Sequence, residues 1–153
     1  MGRTVATRRG ITGSVILLVA LLFLGLAPAP AHAATDLERQ MLRLTNVSRE
    51  RHDVRRLRLD AGMTRKAHKH SVAMLRRDEL FHTSDPQDYY LRGVRWSKWG
   101  ENVGTGGDLE DLQDAFMDSP VHRRNVLDSR FHRVAVGVVH RDGTAWVTLF
   151  FYG

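Results

Sequence analysis

The C-terminal end of the chain constrains its fold most. Arg133 to Arg141 and Thr144 to Tyr152 are two apolar-rich runs flanking Asp142-Gly143. Asp-Gly is a preferred pair for a type I′ turn, in which both central residues need positive φ. A two-residue turn also fixes register, setting Val139 opposite Trp146, Gly137 opposite Thr148 and Ala135 opposite Phe150. That face places small residues against large ones. The other carries Val134, Val136, Val138, Val147, Leu149 and Phe151. Neither face can lie open to water. A sheet covered on both sides, with helices before it, predicts an α/β class fold: a three-layer α/β/α sandwich with a largely antiparallel sheet. Gly100 to Gly104 offers a further strand.

The helices that would cover this sheet are marked by caps and periodicity. Thr35-Asp36-Leu37-Glu38 reads as a capping box. Leu37, Met41, Leu44 and Val47 then share one face of a helix running to about Arg51. Asn46 and Arg49 are neighbours on its surface. Residues 52–60 read as a polar connection that tucks in Leu57 and Leu59. A second helix spans roughly Ala61 to Asp78, with Met63, Ala67, His70 and Met74 on one face. There His70 fits a hydrogen-bonded core residue better than a ligand, and His68 is expected in solvent. Residues 83–98 read as an irregular loop with an aromatic lining of Tyr89, Tyr90, Trp96 and Trp99, and a loop this long points to function. A short third helix covers about Asp108 to Asp118.

The N-terminus reads as an export signal. Arg3, Arg8 and Arg9 precede the apolar run Ile11 to Ala27, followed by Pro28, Pro30 and Ala31-His32-Ala33. This is the pattern of a secretory signal peptide over residues 1–33, with cleavage expected after Ala33. The run is short for a membrane span, so no stable membrane anchor is expected after cleavage. Thr7-Arg8-Arg9 also has a weak likeness to a twin-arginine signal. The domain is then residues 34–153. It has no cysteine, so it must bury enough apolar surface without disulfides. Beyond residue 33 the chain holds 20 basic and 17 acidic residues, a modest and scattered excess. No dense basic run with interleaved aromatics appears, so no nucleic-acid partner is expected.

The chemistry concentrates between Gly100 and Leu127. Glu101 and Asn102 put a carboxylate beside a carboxamide. Ser119 suits a helix N-cap and Pro120 the first helical position, which places His122 in a rigid first turn. The residues leave three readings open. The groups can brace one another, hold a cation, or polarise a water. No His-Glu-x-x-His, Gly-x-Ser-x-Gly or cysteine nucleophile is present.

Seven short motifs occur in order: Asn46-x-x-Arg49, Leu59-Asp60, Ala67-x-x-His70-Ser71-x-x-Met74, Phe81-His82, Gly100-Glu101-Asn102-Val103, Ser119-Pro120-x-His122-Arg123-x-Asn125-Val126-Leu127 and Val136-Gly137-Val138. Together, over about residues 37–152, the chain resembles the CAP superfamily (cysteine-rich secretory proteins, antigen 5, pathogenesis-related 1) in its small cysteine-free bacterial, SCP-like form. The resemblance implies the same sandwich, a secreted, extracellular location, and a cleft lined by two histidines and two acids. These map to His82, Glu101 and His122. The second acid falls where Ser119 stands, with Asp118 adjacent, so three of the four are kept.

Three classes of function follow. The first is a secreted binding module whose His82/Glu101/His122 cleft takes a lipid or small apolar ligand against Tyr89, Tyr90, Trp96 and Trp99, since members of the resembled family bind sterols or fatty acids. The same cleft can bind Zn²⁺ or another divalent metal through His82 and His122. The second is a metal-dependent hydrolase acting on peptide or cell-envelope material. The third is a non-catalytic envelope interaction protein. The balance leans away from an enzyme.

Overall fold

The computed structural model describes residues 1–2 and 34–153. The basic start, apolar run and Ala31-His32-Ala33 triplet expected to direct export lie outside those residues. Among the described residues nine elements follow in order: α1 (Asp36–Glu50), β1 (Arg58–Leu59), α2 (Ala61–Arg77), α3 (Pro86–Leu91), β2 (Trp99–Gly106), α4 (Leu109–Asp118), α5 (Pro120–Leu127), β3 (Arg133–Arg141) and β4 (Thr144–Tyr152). The sheet has the order β1-β3-β4-β2. Only β1 with β3 is parallel.

The hairpin forms in the expected register, with Val139 against Trp146, Gly137 against Thr148 and Ala135 against Phe150. Asp142 at φ 51° and Gly143 at φ 77° give the turn its two left-handed residues. The strand expected at Gly100 runs further, from Trp99 to Gly106, and pairs antiparallel with β4. Val134, Val136, Val138, Val147, Leu149 and Phe151 pack with Met41, Leu112, Phe116 and Val126, so α1, α4 and α5 cover that face. Ala135, Phe150 and Tyr152 pack with Met63, Ala67, Tyr90 and Leu91 on the α2 and α3 side. Each fully buried large side chain such as Phe150 contributes about 1.5–3 kcal/mol relative to exposure.

The closest approach in the sandwich is α2 on β3. A Cβ on Gly137 would stand 2.2 Å from the Ala67 carbonyl, so only glycine lets the helix seat. Ser71 Oγ donates to the Gly137 carbonyl at 3.0 Å and lies 2.9 Å from Thr148 Oγ1. Asp60 joins the start of α2 to the end of β4. Its Oδ1 accepts from Met63 N–H (2.9 Å) and its Oδ2 from the Tyr152 hydroxyl (2.7 Å). Burial, and then this bond, raise the Tyr152 hydroxyl above its usual pKa.

The inner stripe of α1 differs from the one that hydrophobic spacing predicts. Leu37 and Val47 are exposed, at 36% and 39%. Glu38, Met41, Thr45, Asn46, Ser48 and Arg49 are buried. The polar members are there because the neighbouring segments offer partners. Asn46 exchanges two hydrogen bonds with the backbone of Leu57. Thr45 Oγ1 donates to Gln113 Oε1, and Gln113 Nε2 donates to Ser48 Oγ. Arg49, fully buried, donates to the carbonyls of Arg55, Val126, Asp128 and Phe131. It ties the end of α1 to the end of α5, where helix carbonyls lack intrahelical donors. Asn46 and Arg49 are therefore core clamps and not surface neighbours.

Two other expectations are corrected. His68 is half-buried, and its Nδ1 lies 3.0 Å from Oε1 of Glu38 in the first turn of α1. The loop 83–98 contains α3, started by Asp85, whose Oδ1 accepts from Asp88 N–H, and by Pro86 at its first turn.

Candidate functional site

Glu101 lies on β2 opposite Phe150 of β4. Strand alternation turns its side chain toward the α2 side of the sheet, where it is 2% exposed. A carboxylate there needs partners. The turn after α2 supplies them. Glu101 Oε1 accepts from the Thr83 N–H (2.9 Å) and bonds His82 Nδ1 (2.9 Å), and Oε2 accepts from Thr83 Oγ1 (2.7 Å). A carboxylate accepts and does not donate, so in the neutral ring the His82 proton sits on Nδ1. Nε2 is left as an acceptor on a ring that is 61% exposed. Thr83 was not legible as a site residue, since nothing in its periodicity or motif distinguishes it. Only its place after His82 marks it.

His122 comes near this pair without joining it. It is in the first turn of α5, half-buried, with its ring edge-on to Phe116 at 5.1 Å. Asn102 Nδ2 donates to the His122 carbonyl at 3.1 Å. Asn125 Nδ2 donates to Asn102 Oδ1 at 2.8 Å and to the Glu101 carbonyl at 3.3 Å. The two amides thus fasten α5 to β2, and a Cβ on Gly100 would stand 2.6 Å from Asn125 Oδ1. Partial burial, and then the charge of nearby His82, hold His122 below the usual histidine pKa. Pro120 stands at the first position of α5 as expected, but Ser119 makes no capping hydrogen bond with its side chain. Asp118 is exposed at the end of α4. Among the described residues, no hydrogen bond joins Asp118 or Ser119 to the other three.

These residues fit a metal only in a limited way. Glu101 is fully engaged, and among the described residues no three His, Cys, Asp or Glu side chains gather into a metal-binding group.

A cleft of about 560 Å³ opens over the pair, lined by His82, Thr83, Ser84, Pro86, Trp99, Gly100, Glu101 and Asn125. Of the aromatics expected as its walls, Trp99 serves. Its ring lies parallel to Phe150 at 6.0 Å, which backs it firmly. Tyr90 does not serve. It is buried, stacked on Phe150 at 4.0 Å, because strand β4 offers a flat partner. Its hydroxyl is buried beside Thr83 without a well-formed hydrogen bond, and burial, then Glu101, push its pKa far up. Tyr89 and Trp96 are exposed, at 36% and 38%.

Known proteins give the fold its relatives. An uncharacterized protein of Bacillus subtilis, YkwD, is 29% identical over 119 residues, 74% of this chain and 46% of that protein. The crystal structure of an extracellular protein of Bacillus anthracis containing an SCP domain superposes with a TM-score of 0.64 at 30% identity, covering 75% of this chain and 39% of that one. A cysteine-rich secretory protein of Staphylococcus aureus superposes with a TM-score of 0.65 at 21% identity, over 80% of this chain and 40% of that one. The chain thus spans less than half the length of each of these three. The model of the CAP family, described as the cysteine-rich secretory protein family, matches residues 42–151. With the sandwich, its ordered motifs and this match, the chain belongs to the cysteine-rich secretory protein (CAP) family.

Proposed function

We propose that this chain is an exported, extracellular binding module. Its His82/Glu101 cleft takes a small ligand. The observation that carries this reading is the commitment of Glu101. Both its oxygens are occupied by His82 and Thr83, which suits a carboxylate that positions an imidazole better than one that activates water. His82 then offers one acceptor nitrogen to an open cleft with a rigid Trp99 wall. The extracellular relative from Bacillus anthracis supports export, as does the signal-like start of the sequence.

The test is native mass spectrometry of the protein purified from its own culture fluid, beside His82→Ala. A bound small molecule is expected in the parent and at least tenfold lower occupancy in the variant. Equal occupancy in both sinks the reading.

A second reading has its own support. Partial burial, then nearby His82, lower the His122 pKa, and the neutral imidazole this favours is the form that binds a cation. His82 and His122 would then hold a divalent ion such as Zn²⁺ between them. Zinc affinity by calorimetry should fall from pH 7.5 to pH 5, because protons compete with the cation for imidazole nitrogens. A flat profile counts against it.

A further inference from the structure

The cleft over His82 has a neighbour. A second cleft of about 300 Å³ lies on the α2 side and includes Lys69, Arg77, Phe81 and Tyr89 in its lining. Both clefts are lined by His82, Thr83 and Ser84. The turn after α2 is therefore a shared rim, and the two make one trough from α2 to Trp99.

The α2 end of the trough is cationic. Helix α2 carries Arg65, Lys66, Lys69, Arg76 and Arg77 and no Asp or Glu. Lys66 is used by the Tyr89 carbonyl. Arg77 lies over the Phe81 ring, 4.6 Å from its centre. A guanidinium resting on a ring keeps its N–H edge for an anion. Phe81 is itself held, with its carbonyl 2.9 Å from His70 Nε2 and its ring edge-on to His70 at 5.0 Å. Among the described residues neither Lys69 nor Arg77 forms an ion pair. Three acids on the other segments are engaged: Glu101 by His82 and Thr83, Asp85 at the start of α3, and Asp88 with Arg92, while Asp78 and Glu79 stand exposed just after α2.

The other end sets an aromatic face beside polar groups. Trp99 presents a ring backed by Phe150, while His82, Ser84 and Asn125 supply hydrogen-bonding groups. Both clefts are open and mixed in polarity, unlike the enclosed apolar pocket that buries a lipid chain. A peptide adding to the edge of β2 would meet Asn125 Nδ2, which already holds the Glu101 carbonyl.

We propose that the trough takes an acidic oligosaccharide. A sugar ring lies on Trp99, its hydroxyls meet His82 Nε2, Ser84 and Asn125, and its carboxylates reach Lys69 and Arg77. This rests on the binding-module reading and names the ligand class for the same site.

The experiment is calorimetry of the parent, Lys69→Ser/Arg77→Gln and His82→Ala with two probes, a galacturonic acid tetramer and the uncharged galactose tetramer. In the parent at low salt the acidic tetramer should bind at least about tenfold tighter, an advantage that shrinks as salt screens it. The double variant should lose at least about fivefold of that advantage, and its melting temperature should stay at the parent value. His82→Ala should weaken both probes. Equal affinity for the two tetramers, or an advantage untouched in the double variant, overturns the proposal. So does tighter binding of phosphatidylglycerol vesicles, which moves the partner to a membrane surface. If neither tetramer binds but a native ligand is lost on His82→Ala, the acidic-sugar assignment falls and the module reading stands. If no ligand of any kind is found, both fall.

Discussion

Among the described residues stand two histidine–glutamate pairs of nearly equal length. In one, His68 Nδ1 lies 3.0 Å from Glu38. In the other, His82 Nδ1 lies 2.9 Å from Glu101. Both glutamates are buried, at 0% and 2% side-chain exposure, but His68 is 32% exposed and His82 61%. The surroundings differ more than the pairs do. Glu38 also completes the cap of α1, accepting from Thr35 N–H at 2.8 Å, and both members stand on long helices. Glu101 stands on a strand, and its partners come from a turn beside an open cleft. The first pair links helix to helix. The second aims an imidazole outward. Pair chemistry alone therefore says little about role, and the backbone that carries it says more.

Four measurements sharpen that contrast, beginning with the one expected to cost most. Glu38→Ala removes a buried carboxylate, one half of a capping box and the partner of His68. Unfolding in urea should show a loss of about 2–4 kcal/mol, and a loss below about 1 kcal/mol would mean that the pair is not a brace. Glu101→Gln keeps the shape but sets an amide N–H₂ against Thr83 or His82 donors. We expect about 1–2 kcal/mol, together with a smaller Nδ1–H tautomer population for His82 in nitrogen NMR. An unchanged tautomer ratio would show that Glu101 does not orient the ring.

The third measurement is stability against pH. His122 has a depressed pKa in the folded state, so the unfolded chain takes up that proton first. Its contribution is constant above the ordinary histidine range and is lost as pH falls below about 6.5. A His122→Gln variant should lack that part of the slope. Identical slopes would remove the burial argument. His82→Ala should cost least, within about 0.5 kcal/mol, because the ring is mostly in solvent. A loss as large as that of Glu38→Ala would make the second pair a brace as well.

Features tied to local rules were legible without coordinates. Asp142-Gly143 specified a turn, and the turn specified every cross-strand pair of the hairpin. Thr35 and Glu38 declared the start of α1, and Pro120 the start of α5. The ordered motifs pointed to His82, Glu101 and His122; Glu101 bonds His82, while His122 is tied to β2 only through the Asn102 and Asn125 amides. What periodicity misjudged was burial of polar groups. Leu37 and Val47 share a face with Met41 yet are exposed, while Asn46 and Arg49 are buried because carbonyls of distant segments receive them. Tyr90 left the cleft for the core because Phe150, far along the chain, offers it a stacking surface.

By itself, then, the sequence determined the hairpin, the starts of α1, α2 and α5 and the layered fold, since those follow from contacts between residues a few positions apart or from alternation along a strand. Only the tertiary structure decided which histidine links two helices and which opens onto a cleft. It also gathered Lys69 and Arg77 beside His82. Those assignments depend on solvent exposure and on partners dozens of residues away, and both are set when the α2 backbone closes onto Gly137 and the sheet.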